Sequence, residues 1–371
     1  MVDLKSQYQK IKPEIDAAIL DVIDSTAFIN GPSVKNFQQN LETYLGVKHV
    51  IPCGNGTDAL QVAMMGLGLQ PGDEVITTTF TFIATAEVIA LLHLTPVCVD
   101  VDADTMNISI EAIEKAITPK TKAIVPVHLF GQCANMEAIL KIAEKHHLYV
   151  IEDACQAIGA DYKFRNGTTK KAGTIGDVGC TSFFPSKNLG CYGDGGAIFT
   201  NNDELANKIR GIVNHGMFVR YYHDLVGVNS RLDSIQAAIL DIKLKHLDEY
   251  AQARNKAASY YNRAFANNPK IVTPTTATYT SHVFHQYTLI IKDIDRASLI
   301  EFMGEKGIPV MIYYPVPMHK QKAYLDPRYK DGDFPVAEYL SEHVISLPMH
   351  TELDEEQLKY ITESLLSFIN N

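Results

Sequence analysis

The chain has 371 residues, 46% of them hydrophobic and 20% charged, a globular composition that excludes disorder and is longer than one ordinary core usually holds. Its formal net charge of −10 excludes a polyanion-binding footprint, and its longest apolar stretch, Val88 to Val99, contains His93 and Pro96 and is too short to span a bilayer. The six cysteines are scattered without C-x-x-C spacing and Met1-Val2-Asp3-Leu4-Lys5 begins no signal peptide, so the expectation is a cytoplasmic protein with reduced thiols and no membrane anchor.

In chain order, the first chemical signal is Gly54-Asn55-Gly56-Thr57-Asp58, a glycine turn opening a helix. Unpaired N–H groups and the helix dipole make such a turn a phosphate site, although a plain helix cap reads the same way. From about Asn55 to Asn201, short β-branched runs alternate with helical stretches, the pattern of a mainly parallel sheet covered by helices. The expected strands are Glu74–Thr78, Val97–Val101, Ala123–Val127, Leu148–Glu152, Cys180–Phe184 and Ala197–Thr200. Helices are expected over Asp58–Leu67, Ile83–His93, Ser109–Ile117 and Asn135–His146.

In Phe80-Thr81-Phe82, just past the Glu74–Thr78 strand, an aromatic side chain can stack on a flat ring or simply fill core. Asp153 closes Tyr149-Val150-Ile151-Glu152 at the sheet edge where α/β proteins bind ligands. There it can face a protonated pyridine nitrogen or cap the next helix; Gln156, three residues on, shares its side if that segment is helical. His146-His147 lacks partners at metal-ligand spacing and reads as a helix-end pair, so no metal is expected. Asn166-Gly167 reads as a hairpin tip among solvated lysines.

Lys187 lies between the strand-like run Thr181-Ser182-Phe183-Phe184-Pro185 and Gly193-Asp194-Gly195-Gly196. In that setting burial or a cationic neighbour would lower the pKa of its amine, as a Schiff-base lysine requires, although taken alone it reads as a solvated loop lysine. Leu232 to Tyr261 reads as one long helix joining the large unit to a smaller one that holds strands Gln286–Ile291 and Val310–Tyr314 and helices Arg296–Lys306 and Glu355–Phe368. The expected domains are residues 1–245 and 246–371.

Taken together, these motifs resemble the pyridoxal-phosphate-dependent nucleotide-sugar aminotransferases of the DegT/DnrJ/EryC1/StrS family, fold type I, over essentially the full length. Also carrying the likeness are Gly31-Pro32, Phe80-Thr81-Phe82-Ile83-Ala84-Thr85, His128-Leu129-Phe130-Gly131, Glu152-Asp153-Ala154-Cys155-Gln156, Asn214-His215-Gly216 and Gly227-Val228-Asn229-Ser230-Arg231-Leu232. The resemblance implies that Lys187 carries pyridoxal 5'-phosphate, Asp153 pairs with its ring nitrogen, Gln156 meets its phenolate and Phe82 stacks on it. It makes Gly56, Thr57 and Ser182 phosphate ligands, joined by Asn229 from the second subunit of a homodimer.

Within the family, the wording around Lys187 is similar to enzymes that aminate UDP-2-acetamido-2-deoxy-3-keto-glucuronate for bacterial surface polysaccharides such as the O-antigen of lipopolysaccharide. L-glutamate would give the amino group and leave as 2-oxoglutarate. Arg231 would grip the uronate carboxylate, its alternative being a structural ion pair, and Tyr313 and Tyr314 would line the sugar site. These relatives have a histidine where this chain has Tyr313. The competing readings are a neutral dTDP- or UDP-linked 3-keto or 4-keto sugar as acceptor and, in a different class, a non-catalytic cofactor-binding sensor.

Overall fold

The computed structural model describes residues 1–370, built around a seven-stranded sheet. From one edge its strands run His49–Cys53, Gly196–Thr200, Val178–Ser182, Tyr149–Asp153, Thr121–Val125, Glu74–Thr78 and Thr95–Val99. Only Gly196–Thr200 runs against the rest, pairing antiparallel with both neighbours, so the sheet is mainly parallel as expected. Side chains alternate between its faces. Val75, Ala123, Val125 and Ile151 pack with the helices Gly56–Leu67, Ala84–Leu91 and Asp203–Ile212. Their neighbours Ile76, Ile124 and Val150 pack with Ile110–Ala116 and Met136–His146. Burial on both faces is what a parallel sheet with helical crossovers requires.

The helices begin where short polar side chains can satisfy their free N–H groups. Asn55, Asn135 and Asn202 each accept from the backbone three residues on. At the far end of Met136–His146, His147 takes the left-handed cap, so the histidine pair is a helix end as expected. The hairpin Asp161–Lys163 with Thr169–Lys171 turns at Gly167, whose φ is +87°.

Two expectations are corrected. The long helix breaks at Lys245 and His246 into Ser234–Leu244 and Leu247–Phe265. Val310–Tyr314 is not a strand: only Met311 pairs, with Ser346, before Pro315 and Pro317 remove the N–H groups that a ladder needs. A second sheet of Ile271–Val272, Tyr287–Ile291 and Val344–Leu347 has its own core, in which Tyr287 and Leu289 meet Tyr261, Phe265, Leu299 and Leu365. Among the described residues no helix is long and apolar enough to cross a membrane.

Candidate active site

A cavity of about 790 Å³ opens at the carboxyl ends of the parallel strands, within the size range of small-molecule sites. Gly56, Thr57, Phe82, Asp153, Gln156, Ser182, Lys187, Tyr313 and Tyr314 all line it. Asn229 and Arg231 do not line it.

The cavity floor is set by a strand that sends adjacent acids to opposite faces. Glu152 turns into the core, where its carboxylate pairs with His128 Nε2 at 2.8 Å and accepts N–H bonds from Gly173, Ile175 and Gly176. Asp153 therefore turns toward the cavity. It is buried, yet pairs with no cation among the described residues; Oδ2 accepts from the Thr85 hydroxyl at 2.8 Å and Oδ1 from the Cys155 N–H at 3.2 Å. A buried carboxylate with no ion-pair partner in contact is costly. A protonated pyridine nitrogen would supply that partner, so the site fits the ring expected there.

The residues after Asp153 form turns rather than the helix that would put Gln156 on its side. Gln156 reaches the cavity all the same: Oε1 accepts from the Phe130 N–H at 2.8 Å and Nε2 donates to the Tyr314 hydroxyl at 3.0 Å, leaving one amide proton uncommitted. Phe82 keeps 56% of its surface exposed, 6.3 Å from Tyr314, whereas Phe80 is fully buried. Of the two rings, Phe82 is the one free to stack on a ligand.

At the helix opening, Asn55 caps Asp58 at 2.8 Å, as the plain-cap reading expects, yet the N–H groups of Gly56 and Thr57 remain without partners among the described residues. Gly56 is required by close approach, since a Cβ there would stand 2.7 Å from Ser182 Cβ. Two free amides with the Thr57 and Ser182 hydroxyls form an anion cradle at a helix N-terminus.

Lys187 lies in the loop after Val178–Ser182, its N–H held by the Phe184 carbonyl at 2.8 Å. Burial lowers the pKa of its amine below the usual lysine range, against the pull of Cys155 and Asp153. The amine is therefore more readily deprotonated than a surface lysine's, as a nucleophile must be. Burial raises the pKa of the Tyr314 hydroxyl and keeps it a neutral donor, and does the same to Tyr313, eased by the Gln286 amide.

Asn229 is exposed and bridges to Asn214. Its neighbour Ser230 donates to Asp58 at 2.6 Å and accepts from the Gly54 N–H at 2.9 Å, so the segment is anchored to the phosphate turn. Arg231 is half-buried, and its guanidinium meets no carboxylate among the described residues.

Thr85, Cys155, Phe184, His285 and Gln286 carry no sequence assignment. Thr85 falls inside the Phe80–Thr85 run, but only the fold brings its hydroxyl to Asp153. His285 lies just before the strand Tyr287–Ile291 of the second sheet, and burial holds its imidazole neutral.

A family model described as the DegT/DnrJ/EryC1/StrS aminotransferase family matches residues 9–366. The chain is 49% identical over 370 residues to a "Pleiotropic regulatory protein" of Geobacillus stearothermophilus, covering 99% of this chain and 98% of that one. It is 47% identical over 364 residues to the UDP-2-acetamido-2-deoxy-3-oxo-D-glucuronate aminotransferase of Pseudomonas aeruginosa, covering 98% of each. Among solved structures, S. venezuelae DesV in complex with a ketimine intermediate matches with a TM-score of 0.95 at 38% identity, covering 100% of this chain and 98% of that one.

Proposed function

Because the chain belongs to the DegT/DnrJ/EryC1/StrS aminotransferase family, and so is a pyridoxal-phosphate enzyme of the fold-type-I class acting on nucleotide-linked keto sugars, we propose UDP-2-acetamido-2-deoxy-3-keto-glucuronate as its acceptor and L-glutamate as its donor. Bound pyridoxal phosphate supplies the electron-withdrawing ring that takes up charge from the reacting carbon. The chain's own residues do the rest. Lys187 attaches the cofactor and carries the proton between carbons, Asp153 holds the ring nitrogen charged, Gln156 orients the phenolate, and Gly56, Thr57 and Ser182 seat the phosphate. Phe82 covers the ring, and Tyr313 and Tyr314 offer hydroxyls to the sugar.

The observation that carries this reading is the meeting, in one cavity, of a buried carboxylate lacking a cation with a lysine whose pKa is lowered by burial. The uronate rests on Arg231, which pairs with no carboxylate among the described residues, and on the likeness to the Pseudomonas enzyme. Steady-state assay with glutamate and paired UDP-linked keto sugars, uronate and neutral, tests it. Arg231→Ala should remove about 2 to 4 kcal/mol of transition-state binding for the uronate and much less for the neutral sugar. Equal losses would make Arg231 structural and return the reading to a nucleotide-sugar aminotransferase without an assigned sugar. The regulatory name of the Geobacillus relative raises a sensor as the second reading; cofactor binding without turnover of any sugar would favour it.

We read the active unit as a homodimer in which Asn229 and Arg231 serve the neighbour's cavity, since both lie outside their own. Just before them, the hairpin of Met217–Val219 and Tyr222–His223 and the residues beside it display Val219, Tyr221 and Val226 at 62%, 75% and 86% exposure, an apolar surface that calls for cover. Mixing Lys187→Ala protein with an Asn229→Ala, Arg231→Ala double variant should restore activity through hybrid dimers, up to about a quarter of parental from random pairing. No recovery despite demonstrated subunit exchange would place the whole site in one chain. This reading also places the domain boundary at the helix break near 245 and 246, and the enzyme in the cytoplasm, serving surface polysaccharide synthesis such as O-antigen; the six unpaired thiols support that compartment.

A further inference from the structure

Lys243 lies on the helix Ser234–Leu244 with 1% of its surface exposed and pairs with no carboxylate among the described residues. Its Nζ makes one hydrogen bond, at 2.6 Å, to the carbonyl oxygen of Gly190, and stands 4.9 Å from the centre of the Tyr192 ring. An unpaired buried ammonium is costly, and an apolar side chain of similar volume would fill the space at less cost. Burial lowers the amine's pKa to about 8, opposed by Cys191. Packing alone does not account for a lysine here.

The carbonyl it holds ends the loop that carries Lys187. That loop folds back on itself: the Lys187 N–H donates to the Phe184 carbonyl at 2.8 Å and the Cys191 N–H to the Phe183 carbonyl at 2.8 Å. The Asn188 amide ties its middle to the Val283 carbonyl at 2.9 Å. At Gly190 a Cβ would stand 2.4 Å from the Pro185 carbonyl oxygen, so the tight fold admits only glycine and the anchor must come from elsewhere.

We propose that Lys243 is a positioning residue for Lys187, holding the Gly190 carbonyl so that the reactive amine occupies the same place in both halves of the transamination. The proposal rests on the reading of Lys187 given above, so its test has one arm that needs no cofactor. In the apoprotein, Lys243→Met should raise amide hydrogen exchange at Lys187 and Cys191 by about tenfold or more, with the rest of the sheet unchanged and the melting temperature equal or higher. In the loaded enzyme the same variant should lose ~10–100-fold in kcat, with KM for glutamate within about threefold. Lys243→Gln, which keeps a donor, should recover part of both losses.

Unchanged exchange in Lys243→Met would overturn the proposal, as would faster exchange with parental kcat. A fall in melting temperature with faster exchange throughout the sheet would make Lys243 a packing residue only. Should Lys187 fail as the attachment point, the kcat arm would lose its meaning, while the apoprotein arm would still decide whether Lys243 holds the loop.

Discussion

Lys187→Ala is expected to lose three or more orders of magnitude in kcat while remaining folded and still holding the cofactor. In the proposed reading one amine attaches the cofactor and moves the proton between carbons, so its removal would cost both the covalent bond and the base. The fold should not notice, because the loop is held by backbone and neighbouring groups: the Lys187 N–H to Phe184, Asn188 to Val283 and Cys191 to Phe183. Because burial lowers the folded-state pKa, the folded chain disfavours the ammonium that the unfolded chain carries freely. That penalty is present in full below the folded pKa and disappears as pH rises toward the ordinary lysine value. At neutral pH the alanine variant should therefore melt no lower than the parent. For the same reason, covalent capture of the cofactor by parental apoprotein should accelerate with pH through a value below that of a surface lysine. Borohydride reduction followed by peptide mapping locates the attachment, and a modified lysine at any other position would sink the assignment.

The sequence carried the sheet, the strand-end acid and the glycine turn, because each depends on a local pattern of burial or capping. Its errors have a common source. Three expected strands, Val97–Val101, Ala123–Val127 and Cys180–Phe184, begin two residues earlier in the structure, at Thr95, Thr121 and Val178. Val101, Val127 and Phe183 are buried beyond the ends of those ladders, the first two holding only isolated bridges to Ile108 and Asp153, so apolar character marks what is covered rather than how far a ladder runs. Pro96 hid the start of one strand, and it is tolerated there because Thr95–Val99 is an edge strand. The two N-terminal helices, Leu4–Ser25 and Pro32–Leu45, were not expected at all; the first contains Pro13 and buries only a narrow stripe that includes Ile11, Ile15 and Val22. Thr85 and His285 were beyond reach for another reason: they meet the site only through long-range packing.

The second large effect is expected at Asp153. Asp153→Asn should lower kcat by about two to four orders of magnitude with little change in melting temperature. An asparagine there can keep both local hydrogen bonds. Its Oδ1 still accepts the Cys155 N–H, and its Nδ2 can donate to the Thr85 hydroxyl, which then accepts instead of donating. The negative charge alone is lost, and with it the proposed hold on a protonated ring nitrogen that would keep the cofactor an electron sink. Cofactor retention should suffer less than turnover, because the phosphate cradle at Gly56, Thr57 and Ser182 is untouched. Thr85→Val is the companion variant: it removes one donor but leaves the carboxylate charged, so it should cost about tenfold or less. The comparison needs kcat, bound cofactor after dialysis and melting temperature for all three proteins. Transamination by Asp153→Asn at near the parental rate would reduce the carboxylate to a cap on the turn at Cys155, whereas equal losses in the two variants would mean that geometry at this strand end, and not its charge, governs the reaction.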